Sequence, residues 1–87
     1  MPMFKFFKNI KNNNKVWQIL TEKYLNGLNG RFGNTVIKIS QDSLKGNLLL
    51  VKTDNSDVSS ILQKKESEIL ADIHKETGIL LSKIDFV

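Results

Sequence analysis

The sequence predicts one small α+β domain with the element order α-β-β-α-β, its helices packed on one face of a three-stranded sheet. With 87 residues, 40% of them hydrophobic, the chain can build one hydrophobic core but not two. Apolar residues recur at helical spacing in two segments. Between these segments the sequence alternates in the manner of β-strands and is rich in β-branched residues.

The first helix is predicted to start at Asn14, because asparagine is a favoured N-cap residue. Either Asn26-Gly27 or Asn29-Gly30 is predicted to supply the left-handed residue that ends this helix. The apolar stripe of the helix consists of Trp17, Leu20, Tyr24 and Leu28.

Two strands are predicted next, paired as an antiparallel hairpin. Residues 35–40 alternate with β-branched side chains, and residues 47–53 form a short apolar run. The connection between them is short, and Gly46 can take the positive φ that a tight turn requires.

The second half of the chain predicts a long helix followed by a third strand. Residues 54–57 are rich in N-cap residues, and apolar residues then recur at helical spacing from Val58 to Gly78. Residues 79–87 predict the closing strand. Because the intervening segment has the length of a crossover, this strand is expected to run parallel to a neighbour.

Charge is distributed unevenly along the chain, whose formal net charge is +4. Residues 1–53 carry nine basic residues against Glu22 and Asp42, a net charge of +7. Residues 54–87 carry four lysines against seven acidic residues, a net charge of −3. If the fold keeps the two halves on separate surfaces, one surface attracts a polyanion and the other meets a different partner.

The basic half contains the candidate nucleic-acid-binding residues. Lysines alternate with aromatic residues in a predicted N-terminal arm, residues 1–14, and basic residues continue beyond it. This composition is typical of a weak single-strand binder, and equally of an ordinary solvated surface. The arm itself could lie on a nucleic acid or a membrane surface, or dock its aromatic rings on the core. The predicted phosphate contacts are Lys5, Lys8, Lys11, Lys15, Arg31, Lys38 and Lys45.

A glycine-rich stretch follows the first predicted helix. Gly30-Arg31-Phe32-Gly33 fits the G-x-x-G tetrapeptide with which KH domains clamp a nucleic-acid backbone. The KH loop joins two helices, however, whereas a strand is predicted here. A helix stop followed by a loop is therefore the favoured interpretation, and a clamp is the alternative.

Several classes of site are not expected. The chain has no cysteine, and His74 is its single histidine, so no metal, no cofactor and no catalytic residue is predicted. We therefore expect a protein that is not an enzyme. The absence of cysteine, of a long apolar run and of a signal-peptide pattern predicts a cytoplasmic protein with no membrane partner.

Four features in fixed order resemble one protein family. They are Trp17 in the first helix, the hairpin segment 44–51, the helix from Val58 to Gly78, and the closing Ile84-Asp85-Phe86. Together they cover residues 16–87, and their order and spacing resemble the DciA-like domain family of bacteria. The resemblance implies a KH-like α+β fold, with residues 15–87 as a single KH-like domain.

The resemblance also implies a function. Members of the family are non-enzymatic accessories of bacterial DNA replication that bind single- or double-stranded DNA, associate with the replicative helicase and assist its loading. Trp17, Gly46 and Phe86 match family positions, which implies core packing for the two aromatic residues and a hairpin turn for the glycine. Two alternatives remain open: a protein-interaction or assembly module without nucleic acid, and a KH-type RNA-binding domain.

Overall fold

The computed structural model describes residues 14–42, 44 and 46–87, and these form an α+β domain with a three-stranded mixed sheet. The predicted N-terminal arm lies outside the described residues except for Asn14. The described part of the first helix, α1, consists of α-helical residues 14–19 and a π-helical segment, Leu20–Tyr24. The other elements are β1 (Val36–Asp42), β2 (Gly46–Lys52), α2 (Ser56–Lys64), α3 (Glu66–Thr77) and β3 (Leu81–Phe86).

Helix α1 differs from its prediction at both ends. Asn14 already has helical backbone, so its prediction as the N-cap is wrong. At the other end the Leu25 N–H donates to the Leu20 carbonyl oxygen, five residues back, at 2.8 Å. This wider turn brings Leu25 into the core below Leu20, where a regular α-helix would have placed Tyr24. The fully buried residues of this segment are Val16, Leu20 and Leu25, whereas Trp17, Tyr24 and Leu28 are only partly buried.

A short 3₁₀ turn, Asn26–Leu28, follows α1 and ends at Asn29, which has a left-handed backbone with φ of 54°. Neither predicted stop ends α1, because the helix ends at Tyr24 and is followed by Leu25 with φ of −103°. The left-handed residue of Asn29-Gly30 ends the 3₁₀ turn instead. The left-handed turn directs the chain towards β1.

The sheet has the order β1-β2-β3. Strands β1 and β2 pair antiparallel from Val36 opposite Lys52 to Asp42 opposite Gly46, so the predicted hairpin is confirmed. Gly46 has the predicted positive φ, 80°. Strand β3 runs parallel to β2, as the crossover length predicts.

One side of the sheet contributes to the hydrophobic core. Its residues alternate along each strand, as the two-residue period of a strand requires. Leu48 is also buried, although the alternation places it on the opposite side. The core residues supplied by the strands include Ile37, Ile39, Leu49, Val51 and Ile84.

The prediction of a single long helix from Val58 to Gly78 is wrong, because this segment forms two helices, α2 and α3. The backbone leaves helical geometry at Lys65, with φ of −104° and ψ of 16°. Directly after the break, the Glu66 carboxylate accepts a hydrogen bond from the Ile84 N–H of β3 at 2.8 Å. The apolar spacing continues unchanged through the break, which is why the sequence pattern does not reveal it.

The predicted caps of this region are correct. The Asn55 side chain accepts hydrogen bonds from the N–H groups of Asp57 (2.8 Å) and Val58 (3.3 Å) at the start of α2. Gly78 ends α3 with φ of 77°. Local cap chemistry therefore fixes both outer ends of the α2–α3 pair.

Two polar contacts join α1 to α3. The Tyr24 hydroxyl donates to the Asp72 carboxylate, and Lys23 Nζ lies 2.8 Å from Glu76 Oε2. Burial, followed by the hydrogen bond from Tyr24 to Asp72, raises the pKa of Tyr24 well above its ordinary value of 10.0. The Glu76 carboxylate likewise raises the pKa of Lys23.

The tyrosine titration tests this contact, because Tyr24 is the single tyrosine of the chain. Burial and the Asp72 carboxylate both favour the neutral phenol, so its ultraviolet absorbance should titrate at a pH clearly above 10.0 while the protein stays folded. The stability gained from this shift is complete below the unfolded pKa and is lost as the pH rises through the folded pKa.

An Asp72→Asn variant is the matched control, since it removes the charge and keeps the burial. Its titration midpoint should fall towards the ordinary tyrosine value without reaching it. An unshifted midpoint in the folded wild-type protein would contradict the contact.

Candidate nucleic-acid interface

Three of the predicted phosphate contacts lie among the described residues, on three different elements. Lys15 is in α1, Arg31 is in the loop before β1, and Lys38 is in β1; all three are exposed. Lys5, Lys8, Lys11 and Lys45 lie outside the described residues.

The side chains of Lys15, Arg31 and Lys38 form no hydrogen bond or ion pair within the part of the chain that the structure describes. Two other lysines do pair with carboxylates. Lys23 bonds Glu76 at 2.8 Å, and Lys65 lies 3.6 Å from Glu68. The charges of these three side chains are therefore not neutralised by a described carboxylate. Within residues 14–42, 44 and 46–87, no contact joins the three side chains to one another.

Lys38 has neighbours on the side of the sheet that faces away from the core. Antiparallel pairing sets Lys38 opposite Leu50 and Val36 opposite Lys52, and parallel pairing sets Leu48 opposite Lys83 and Leu50 opposite Asp85. Paired residues point to the same side of a sheet, as do alternate residues of one strand. We call this surface the outer sheet face; its described side chains are Val36, Lys38, Ser40, Leu48, Leu50, Lys52, Lys83 and Asp85.

Lys52 and Lys83 are exposed members of this face that the sequence interpretation missed. The position of Lys52 follows from the hairpin register, which the sequence leaves unspecified. The position of Lys83 follows from parallel pairing across the whole α2–α3 crossover. No pattern in the sequence alone indicates that Lys38, Lys52 and Lys83 share one surface.

The condition that the two charged halves of the sequence occupy separate surfaces is not met on this face. Lys83 belongs to the acidic half of the sequence, yet it lies on the same face as Lys38 and Lys52 of the basic half. Lys23 of the basic half is paired with Glu76 of the acidic half. Strand pairing and helix packing therefore mix the two halves at the surface.

The glycine-rich loop is held by the turn that precedes α2. The Asp54 carboxylate accepts hydrogen bonds from the Asn34 N–H (2.8 Å) and the Asn34 side-chain amide (3.0 Å). The Asn55 side chain donates to the Arg31 carbonyl oxygen at 2.9 Å. These contacts tie the loop between α1 and β1 to the start of α2.

Gly33 lies against this contact. Its φ is 64°, and a Cβ atom built on it would be 2.5 Å from Asp54 Oδ1. The Asp54 carboxylate thus occupies the space beside Gly33 and places a negative charge next to the G-x-x-G segment. The geometry favours the interpretation of residues 30–33 as a loop that follows a helix stop.

The aromatic residues of this region pack against each other. Trp17 and Phe32 meet edge to face, with ring centroids 5.4 Å apart and an interplanar angle of 84°. Both rings and Phe86 are partly buried against the core. Phe32 is therefore a packing residue in this structure.

Metal-binding and membrane-spanning features are both absent from the described residues. No group of three or more histidine, cysteine or carboxylate side chains among them is arranged to hold a metal ion. No helix in the same part of the chain has the length and apolar character needed to cross a membrane.

Replacing Gly33 by alanine tests the role of the loop. The Gly33→Ala variant should lower the free energy of unfolding by about 1–3 kcal/mol, because alanine disfavours positive φ and its Cβ meets Asp54. Urea denaturation followed by circular dichroism measures this change. Gly27→Ala is the matched control. A Cβ atom added at Gly27 would meet nothing within 4 Å, and the φ of Gly27 is not positive. The free energy of unfolding of this variant should therefore be nearly that of the wild-type protein. Equal stabilities of the two variants would contradict a structural role for Gly33.

No family model matches the chain, and neither a curated protein nor a solved structure matches it. The resemblance to the DciA-like domain family thus stays a prediction from short motifs.

Proposed function

We propose that this protein is a non-enzymatic accessory of bacterial DNA replication that binds DNA and associates with the replicative helicase. The proposal of DNA binding rests on the exposure of the candidate cations and on their lack of carboxylate partners. Lys15, Arg31 and Lys38 are exposed and have no carboxylate partner in the described part of the chain, whereas Lys23 and Lys65 have one. Unpaired cations can bind phosphates and release counterions from DNA without first breaking an ion pair.

The proposed fold is KH-like, with the helices on one face of the sheet. Its support is the observed order of two strands, two helices and a third strand that is parallel to the second. Further support comes from the core, in which Leu20, Leu62 and Ile69 of the three helices pack with Leu49 and Val51 of the central strand.

In a KH domain, the G-x-x-G loop joins two consecutive helices. The corresponding junction here is the break between α2 and α3, where the sequence is Lys64-Lys65-Glu66-Ser67 and contains no glycine. A backbone clamp at this junction would lack the close approach that glycine permits. We therefore assign DNA contact to cationic side chains, which favours electrostatic binding with little sequence preference.

Helicase association rests on the resemblance to the DciA-like domain family. The residues that carry the resemblance have the structural roles that it implies. Trp17 and Phe86 pack against the core, and Gly46 begins β2 with a positive φ. The proposed partner is therefore the replicative helicase of the bacterium that encodes this chain.

DNA binding is tested by its salt dependence. The wild-type protein should bind a fluorescent single-stranded oligonucleotide with an affinity that falls steeply as salt rises. Replacing Lys15, Arg31 and Lys38 together by glutamine should reduce the slope of log K against log salt by about 2, since each lost phosphate contact removes roughly 0.7. Fluorescence anisotropy measures the affinity.

The control variant replaces Lys64, Lys65 and Lys75 by glutamine, which gives the same change in net charge on the helices. Its slope should change less than that of the first variant. Absence of binding by the wild-type protein at low salt would overturn the DNA-binding proposal.

Helicase association is tested separately by a pull-down with purified replicative helicase. Protein contacts bury surface and depend less on counterion release than DNA contacts do, so the complex should survive nuclease and a salt concentration that abolishes DNA binding. Beads without helicase are the control. Equal recovery from both kinds of bead would contradict the association.

A further inference from the structure

We infer that the outer sheet face binds the sugar-phosphate backbone of single-stranded DNA, with Lys38, Lys52 and Lys83 contacting phosphates. The inference rests on the proposed DNA binding and names its site. It adds Lys52 and Lys83, which the sequence did not identify as candidates, and it selects single-stranded over duplex DNA.

The strand register fixes the arrangement of the three lysines. Lys52, Lys38 and Lys83 lie on three different strands and in three successive rows of outward-facing residues. Neighbouring strands are about 4.8 Å apart, and outward-facing residues of one strand are roughly 6.7 Å apart. The Cα atoms of the three lysines are therefore about 8–14 Å apart, arranged around Leu50.

This spacing suits an extended nucleic-acid strand. Lysine side chains are long and flexible, so three of them around one centre can reach several consecutive phosphates. None of the three forms an ion pair with another described residue. Their charge is opposed on this face by Asp85, the one carboxylate among its described side chains.

The helical surface has a different charge pattern. Lys64, Lys65 and Lys75 share it with Glu66, Glu68 and Glu76, and Lys65 lies 3.6 Å from Glu68. Lysines among carboxylates attract a polyanion less than lysines that outnumber them. Charge complementarity therefore favours the outer sheet face over α2 and α3.

Contacts made along a sheet suit single-stranded DNA better than duplex DNA. Duplex DNA is read by a helix or a two-stranded ribbon that enters a groove, whereas single strands lie across sheets and grooves with their bases on side chains. Val36 is 63% exposed on this face, and Leu50 is partly buried. These apolar side chains can contact bases, but they are not stacking rings, so charge should supply most of the affinity.

The test uses the full chain and residues outside the candidate set derived from the sequence. Replacing Lys52 and Lys83 together by glutamine should reduce the salt slope for a fluorescent oligothymidine by about 1.4. The matched control replaces Lys64 and Lys75 by glutamine. Asp85→Asn should have the opposite effect and tighten binding, because it removes the negative charge beside Leu50. Far-UV circular dichroism of each variant verifies folding.

The outcomes separate this inference from the proposed function. If the wild-type protein binds DNA but the Lys52/Lys83 variant keeps its slope, or if a duplex of equal length binds as tightly as the single strand, the inference is wrong and DNA binding stands. If the wild-type protein binds no DNA at low salt, both are wrong. A reduced slope in the Lys52/Lys83 variant alone, with tighter binding by Asp85→Asn, supports the inference.

Discussion

The pairing of β2 with a strand on each side is the constraint on which the rest of this structure depends. Leu49 and Val51 of β2 are fully buried, and their burial fixes which side of the central strand faces the core. Because paired residues point to the same side of a sheet, the antiparallel register fixes which residues of β1 face the core, and the parallel register does the same for β3. A shift of one residue in either register would turn lysines inward and aliphatic residues outward. The composition of the outer sheet face is therefore a consequence of core packing.

Features with local causes could be predicted from the sequence. The cap at Asn55 and the turn at Gly46 depend on residues that are close in the chain, and both are correct. The break at Lys65 and the π-helical end of α1 coincide with contacts to residues that are distant in the chain. The bond from Ile84 to Glu66 and the burial of Leu25 have no counterpart in apolar spacing.

The candidate site shows the same division. The exposure of Lys15, Arg31 and Lys38 could be predicted from their polarity. Which residues lie beside them on the folded surface could not be predicted from the sequence. Lys83 reaches the sheet face only because the chain crosses over through α2 and α3 to pair in parallel. The charge of a sequence segment is thus a poor guide to the charge of a surface whose strands come from both halves of the chain.

The bond between the Glu66 carboxylate and the Ile84 N–H has a consequence for association between molecules. Strand β3 is an edge of the sheet, and unpaired N–H groups on an edge are sites at which a further strand can add. A strand approaching β3 at Ile84 would have to displace a carboxylate and would meet the start of α3. The break that interrupts the predicted long helix therefore also limits growth of the sheet on this side, which lowers the tendency of the domain to aggregate through its β3 edge.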